Sequence, residues 1–475
     1  MQKKRSALIV GLLGLTLQLG AEVGDGQYEG GPLVMTPTFL SDANGSYGVD
    51  QLPDVKPRNG SRIKGPTTPL IEHLWEIAKD DCERNIVSNE LGTYFGAGSR
   101  YGPRVYTRDI AFAGIFGAND LYPNEMLQSL KITRDLRLEL GYKVSRPHVI
   151  DEIQAPWEVI AEVDKEIMAK YKTNCYTRRT DDIIWMWAAE DLFLKHPKLA
   201  DWNWFYETGR RCFEELYAPW YDKTDGLYLG QPTFQDLTHT SYPDGSSIAD
   251  CVLIKSASTN ALYYKGLLAM ARAAEKIGQS DKVVKQWRER AASLKLAFRR
   301  HLIMPDGEVC YYIDRHGRML PNQHNLGTGL AVILGVLEGE AAVKAYAHYP
   351  SSDKGVALIH PFLADNMGSH NAASWPFCST IFLWGKEIAE GRSYQDYNTA
   401  LLARSIGTKM QPKKNKKGKK SSGQGDSEAH WNSGFGSFHE KTSLPSGLIG
   451  GSGHQLWSSA AFLNVFLRHG QVEIE

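Results

Sequence analysis

The chain has no excess of charge of either sign: 54 basic and 54 acidic residues cancel over 475 positions. Without a one-signed field, nothing favours nucleic acid as a partner. Its six cysteines, Cys82, Cys175, Cys212, Cys251, Cys310 and Cys378, are scattered and form no CxxC, and its 14 histidines form no HExxH or tight cluster. Zinc sites of those kinds are excluded, and no metal or cofactor is implied. There is no GxSxG elbow, no P-loop and no GxGxxG, and strands do not alternate with helices as in a parallel α/β fold. No apolar run reaches the roughly 20 residues of a membrane span. The run from Ala7 to Gly20 is shorter, follows Lys3-Lys4-Arg5 and ends at Gly20-Ala21. It reads as a signal peptide over residues 1–21, with no cysteine behind it to take a lipid, so a secreted or periplasmic protein is expected, with no membrane span after cleavage. Export permits disulfides, but spacing pairs none of the cysteines, and buried free thiols are the expected state for most.

What is present is mostly helical. Residues 22–65 are rich in Gly, Pro, Asp and Asn and read as an extended arm. From 66 onwards, apolar residues recur at steps of three and four. Leu70, Ile71, Leu74, Trp75 and Ile77 share one face after Pro69. Val284, Trp287, Ala291, Leu294, Phe298 and Leu302 share another, behind Ser280 as a cap. A helix over 257–277 ends at Gly278, so it and the next form an αα-hairpin. Further helices are predicted from Asn124 as a cap to Gly141, from Asp181, and over 326–337, 375–390, 397–406 and 455–468. Asp225-Gly226 and Pro305-Asp306-Gly307 read as turns into short strands. The predicted fold class is all-α, with helix pairs, small β-hairpin decorations and one domain over 66–475. Residues 411–427 are different: Lys413, Lys414, Lys416, Lys417, Lys419 and Lys420 stand among Gly and Ser with few apolar neighbours, as in a disordered insertion.

Three places carry candidate chemistry. Thr107-Arg108-Asp109 precedes an apolar helix; the Arg fork can donate to hydroxyls and the Asp can accept from them, although an N-cap Asp beside a surface Arg fits the same residues. Phe234-Gln235-Asp236 lies in an aromatic loop suited to a general acid raised by apolar neighbours, with Asp244 and Asp250 as rivals in the same loop. Glu440 sits in a glycine-rich loop before Gln455-Leu456-Trp457-Ser458, where a loop carboxylate facing a helix-lined cavity suits a general base. Arg179, Asp181 and Asp182 at a helix start, His370 in a polar loop, and the rings of Trp375 and Trp457 are further candidates for substrate contact. The 12 Trp and 22 Tyr suit sugar stacking, although a large core uses aromatics as well.

The order of these motifs resembles that of the six-hairpin, (α/α)6-barrel glycoside hydrolases: glucoamylases, trehalases and processing α-glucosidases. The resemblance spans roughly residues 65–470. It implies sugar binding by Arg108 and Asp109, an acid at Asp236 and a base at Glu440. Glucoamylases carry Glu at the acid position, whereas trehalases and α-glucosidase I carry Asp. The full trehalase signatures and the glucoamylase acid motif are not found here. The implied activity is that of an exo-acting, inverting glycoside hydrolase on an oligosaccharide or polysaccharide fragment. Two alternatives stand beside it. One is a polysaccharide lyase working through Tyr101, Tyr106 or His370 on uronic-acid chains. The other is a non-catalytic glycan-binding protein.

Overall fold

The computed structural model describes residues 17–19, 33–43, 45–140, 169–170, 175–176, 180–235, 241–363, 368, 370–406 and 436–474. The rest of the leader stretch, Arg179, Asp236 and the lysine-rich 411–427 lie outside the described residues.

Among the described residues, twelve helices build the body: α1 Pro69–Arg84, α2 Thr107–Ala113, α3 Pro123–Leu140, α4 Asp181–Lys195, α5 Trp202–Arg211, α6 Ala257–Lys276, α7 Asp281–His301, α8 Asn325–Ile333, α9 Glu340–Ala345, α10 Pro376–Glu390, α11 Gln395–Arg404 and α12 Leu456–Leu467. The even-numbered helices pack in order, each on the next, and α12 closes back on α2. The odd-numbered helices lie outside this ring: α1 on α12, α3 and α5 flanking α4, α7 on α6, α9 on α10, and α11 on α10 and α12. This is an (α/α)6 barrel.

Sequence decides which helices go inside. α2 is buried over its whole length, as is α8 from Asn325 to Val332 and α12 from Leu456 to Phe466, and none of α8 or α12 carries a charged residue. A helix apolar all round must be covered all round. The outer α7 buries only Val284, Trp287, Ala291, Leu294, Ala297 and Phe298, and places Arg299, Arg300 and His301 in its last turn, where cations offset the dipole. Close approach inside the ring needs small residues. A Cβ on Gly329 of α8 would stand 2.8 Å from the Ile381 backbone oxygen of α10.

Helix ends follow local chemistry. The Thr68 side chain accepts from the Ile71 N–H and Pro69 stands at the first position of α1. α10 starts on Pro376 and ends at Gly391 in the left-handed region. Two predicted caps differ. α3 begins at Pro123, so Asn124 lies inside its first turn, and Ser280 stands at the N-cap of α7 without a side-chain cap bond. The predicted αα-hairpin is α6–α7, joined through Gly278 at φ +71°.

The strands are short. Leu17–Leu19, Leu33–Met35, Phe39–Asp42 and Gly45–Gly48 form a small antiparallel meander, and Tyr47 ties it to the barrel by donating to the Ala403 carbonyl at 2.8 Å. Two-residue bridges run directly into inner helices: Val105–Tyr106 into α2, Lys255–Ser256 into α6 and Gln323–His324 into α8. Five cysteines, Cys82, Cys212, Cys251, Cys310 and Cys378, are free and buried.

Candidate active site

All six inner helices start at one end of the ring. Arg108 of α2 meets Asp181 of α4 (Nη1 to Oδ2, 3.0 Å), and Asp109 of α2 accepts from the Nε2 of Gln455, the N-cap of α12, at 3.1 Å. Phe377 of α10 stacks on Trp457 of α12 with centroids 4.2 Å apart. Gln235 bonds His324, the N-cap of α8, at 3.1 Å, and Ser258 of α6 accepts from the Thr233 N–H at 3.1 Å. Six helix N-termini therefore gather at one end of the ring, its mouth, a setting that favours carboxylates and oxygen-rich ligands.

Glu440 is 6% exposed and held at both oxygens. Tyr101 donates its phenol to Oε1 at 2.7 Å and the Ser452 N–H donates to Oε2 at 3.2 Å. The opposite wall is Gly451, at φ +85°, where a Cβ would stand 2.1 Å from Oε2. Only glycine leaves room for the carboxylate while adopting that backbone. Burial pushes the Tyr101 phenol well above its usual range, and Glu440 and Asp109 add to the effect.

Asp109 is 4% exposed. Burial pushes its carboxyl well above the usual carboxylate range; the Arg108 guanidinium opposes this, and the negative charges of Glu440 and Asp181 reinforce it. Three carboxyls thus share one field beside one buried guanidinium. The grouping reinforces the upward push on the Asp109 carboxyl.

The loop bearing Glu440 is anchored from outside the ring. Asp81 of α1, fully buried, accepts from the Phe438 N–H at 2.8 Å and Ser459 Oγ at 3.0 Å, and meets His454 Nδ1 at 2.5 Å. One carboxyl therefore fixes the turn before Glu440 and the turn before α12. Asp81→Ala would strand the buried Phe438 N–H and Ser459 hydroxyl and the half-buried His454. It should cost about 3–5 kcal/mol, as breaking a buried charged network does, and lower kcat through the displaced Glu440. Denaturant unfolding and steady-state kinetics check both.

Gln235 is fully buried and fully used. Its Nε2 donates to His324 Nε2, and its Oε1 accepts from Ser241 Oγ at 2.8 Å and from His370 Nδ1 at 3.1 Å. Phe234 before it has φ +76°, rare for a side chain of its size, and stacks on His370 at 5.1 Å. This strained turn ends where the described residues stop, at position 235.

The sequence-predicted residues divide as follows. Arg108, Asp109, Asp181, Glu440, His370, Trp375 and Trp457 come to the same end of the ring. Asp182 lies in the first turn of α4, and Arg179 and Asp236 lie outside the described residues. Asp181 is fully buried and serves Arg108. Trp457 has Phe377 across one face, and Trp375 is flanked by Phe234 at 4.6 Å and His370 at 5.3 Å, with the Lys441 ammonium 5.1 Å from its centroid. Both Trp rings are 3% exposed. They are walls of the mouth rather than open stacking platforms. Of the rival acids, Asp250 caps the short helix Ile248–Val252 and pairs with Arg315 at 2.7 Å, and the Ser247 hydrogen bonds lower its pKa; Asp244 is exposed on a turn. Sequence reasoning did not single out Gln455, Asp81, His454 or the tie from Tyr101 to Glu440. Its one available signal was Gly450-Gly451, next to the loop that must clear a carboxylate.

No family model and no curated protein matches this chain. Solved structures do. A GH78 family rhamnosidase of Bacillus sp. GL1 aligns with a TM-score of 0.53 at 12% identity over 91% of this chain and 37% of its own. A sialidase aligns with a TM-score of 0.55 at 12% identity over 86% of this chain and 34% of its own. A wild-type glycosidase aligns with a TM-score of 0.52 at 14% identity over 86% of this chain and its own full length. The chain thus spans about a third of the first two and the whole of the third. At these identities the likeness establishes the shared barrel.

Proposed function

We propose that this protein is a glycoside hydrolase that cleaves a terminal sugar by inversion, with Glu440 as general base and Asp236 as general acid. The observation that carries the reading is the seat of Glu440. It is a buried carboxylate with both oxygens oriented, at the mouth of the six-helix ring and in the field of Asp109 and Arg108. The names of the structures sharing this barrel, a rhamnosidase, a sialidase and a glycosidase, support the same class. Asp236 is the next residue in sequence after Phe234 and Gln235, and the order of motifs along the chain is what supports it as the acid. In such a pair the acid protonates the leaving oxygen while the base takes a proton from water, and roughly 6.5–9.5 Å between carboxyls leaves room for that water. Arg108 and Asp109 would bind hydroxyls of the terminal sugar; an Asp109 held protonated can donate as well as accept. Export through the 1–21 leader belongs to the same proposal; its cleavage would remove the edge strand Leu17–Leu19 and leave the other three strands of the meander.

The lyase alternative needs a basic residue able to take a carbon-bound proton. Tyr101 has its phenol held protonated by burial and by Glu440, which disfavours that role.

Proton NMR of a reaction on a panel of oligosaccharides tests the reading. The expected first product is a monosaccharide of inverted anomeric configuration, and Asp236→Asn should abolish its formation. A retained anomer would remove Glu440 from the role of base, and an unsaturated product would replace hydrolysis with elimination.

A further inference from the structure

A cavity of about 690 Å³ opens on the outer wall of the barrel between α5 and α7. None of the site residues named above lines it. Its volume lies within the roughly 300–1,000 Å³ usual for ligand pockets. The floor is aromatic: Tyr206, Phe213, Tyr228 and Trp287 are each 5% exposed or less. Phe213 and the neighbouring Glu214 stand on a π-helical turn, Cys212–Leu216, that continues α5, a distortion frequent at functional sites.

The rim carries charge of both signs, but the two signs are not equally committed. Glu214 pairs with Arg210 at 2.6 Å and Glu289 with Lys285 at 3.7 Å. Among the described residues, Arg290 and Lys223 have no carboxylate partner. Arg290 is nonetheless positioned: its guanidinium lies 4.5 Å from the Trp287 centroid and 5.3 Å from that of Phe213, and it reaches the Tyr228 hydroxyl at 3.4 Å. A guanidinium laid on aromatic faces keeps its edge donors in a fixed fork, the geometry that takes a carboxylate or sulfate bidentately. Gln286 and Ser293 add neutral polar groups to the rim. A closed apolar floor, hydroxyl-binding groups at the edge and an oriented cation beside them match a sugar ring that carries an acidic group.

We propose that this cavity is a second glycan-binding site, remote from the catalytic mouth, that takes an acidic sugar unit with its carboxylate or sulfate on Arg290 and Lys223. The site binds without cleaving and anchors an acidic polysaccharide to the outer wall.

Isothermal titration calorimetry on the full chain carrying Glu440→Gln tests this, because turnover does not then consume the probe. The probes are a trigalacturonate, a sulfated trisaccharide and an uncharged maltotriose. Binding of one of the two acidic probes is expected, and which one binds distinguishes carboxylate from sulfate. Adding Arg290→Gln and Lys223→Gln, both exposed and compatible with folding, should weaken that binding about tenfold or more, since hydrogen bonds to charged groups carry such a factor. In an otherwise wild-type chain the same two changes should leave kcat on a small neutral substrate unchanged. Absence of binding by both acidic probes, equal binding of maltotriose, or affinity unmoved by the double change would each overturn the proposal. Hydrolysis failing while acidic binding persists would strike the catalytic reading alone.

Discussion

Glu440→Gln should reduce kcat by roughly 10²- to 10⁴-fold, the usual contribution of a positioned general base, with little change in KM. The fold should survive. Tyr101 can still donate to the amide oxygen, but the new Nε2 faces the Ser452 N–H, donor against donor, and about 1–3 kcal/mol of stability should be lost. Circular dichroism and thermal unfolding of the variant check the folded state, and initial rates check the chemistry. A variant that keeps more than a tenth of wild-type kcat would remove Glu440 from the reaction and leave its hydrogen bonds as structural.

The second large effect is on stability against pH, and it has opposite signs at two residues of the same mouth. His324 is fully buried, and burial lowers its pKa to about 3. The unfolded chain takes up this proton near pH 6.5 and the folded chain does not, so stability falls as pH drops from 6.5 towards 3. The slope is about 1.4 kcal/mol per pH unit. His324→Asn should therefore destabilise most at pH 7.5 and progressively less on acidification. Asp109 runs the other way. Its folded pKa is raised, so its contribution is fully present below the unfolded value near 4 and is lost as pH rises through the folded value. Asp109→Asn should gain stability relative to wild type as pH rises. Urea unfolding between pH 4.5 and 8 compares the three proteins, and slopes that run parallel would contradict the burial of both groups. His439, lowered to about 4 by burial, adds to the acid-side loss in wild type and variants alike.

Much of the helical order was legible along the chain. The three-and-four spacing from Val284 to Phe298, the Gly278 turn and Pro376 before an apolar stretch are local signals, written within a few residues and read by local physics. The inner helices carried a signal that the periodicity reading did not use: Asn325–Ile333 and Leu456–Leu467 hold no charged residue and must be covered on every side. The order of Arg108-Asp109, Phe234-Gln235-Asp236 and Glu440 brought the barrel into view. What sequence could not supply was which polar groups hold one another. Tyr101 reaches Glu440 across 339 positions, Gln455 reaches Asp109 across 346, and His454 reaches Asp81 across 373. Closing the ring brings the first and last inner helices side by side, and only that closure makes these residues neighbours. The same closure turned Trp375 and Trp457 from candidate platforms into walls and gave Asp181 to Arg108. Residue type and spacing determine which side chains can do chemistry; the pKa of Asp109 and the orientation of Glu440 arise from burial and from partners hundreds of residues away, and those exist only in the folded ring.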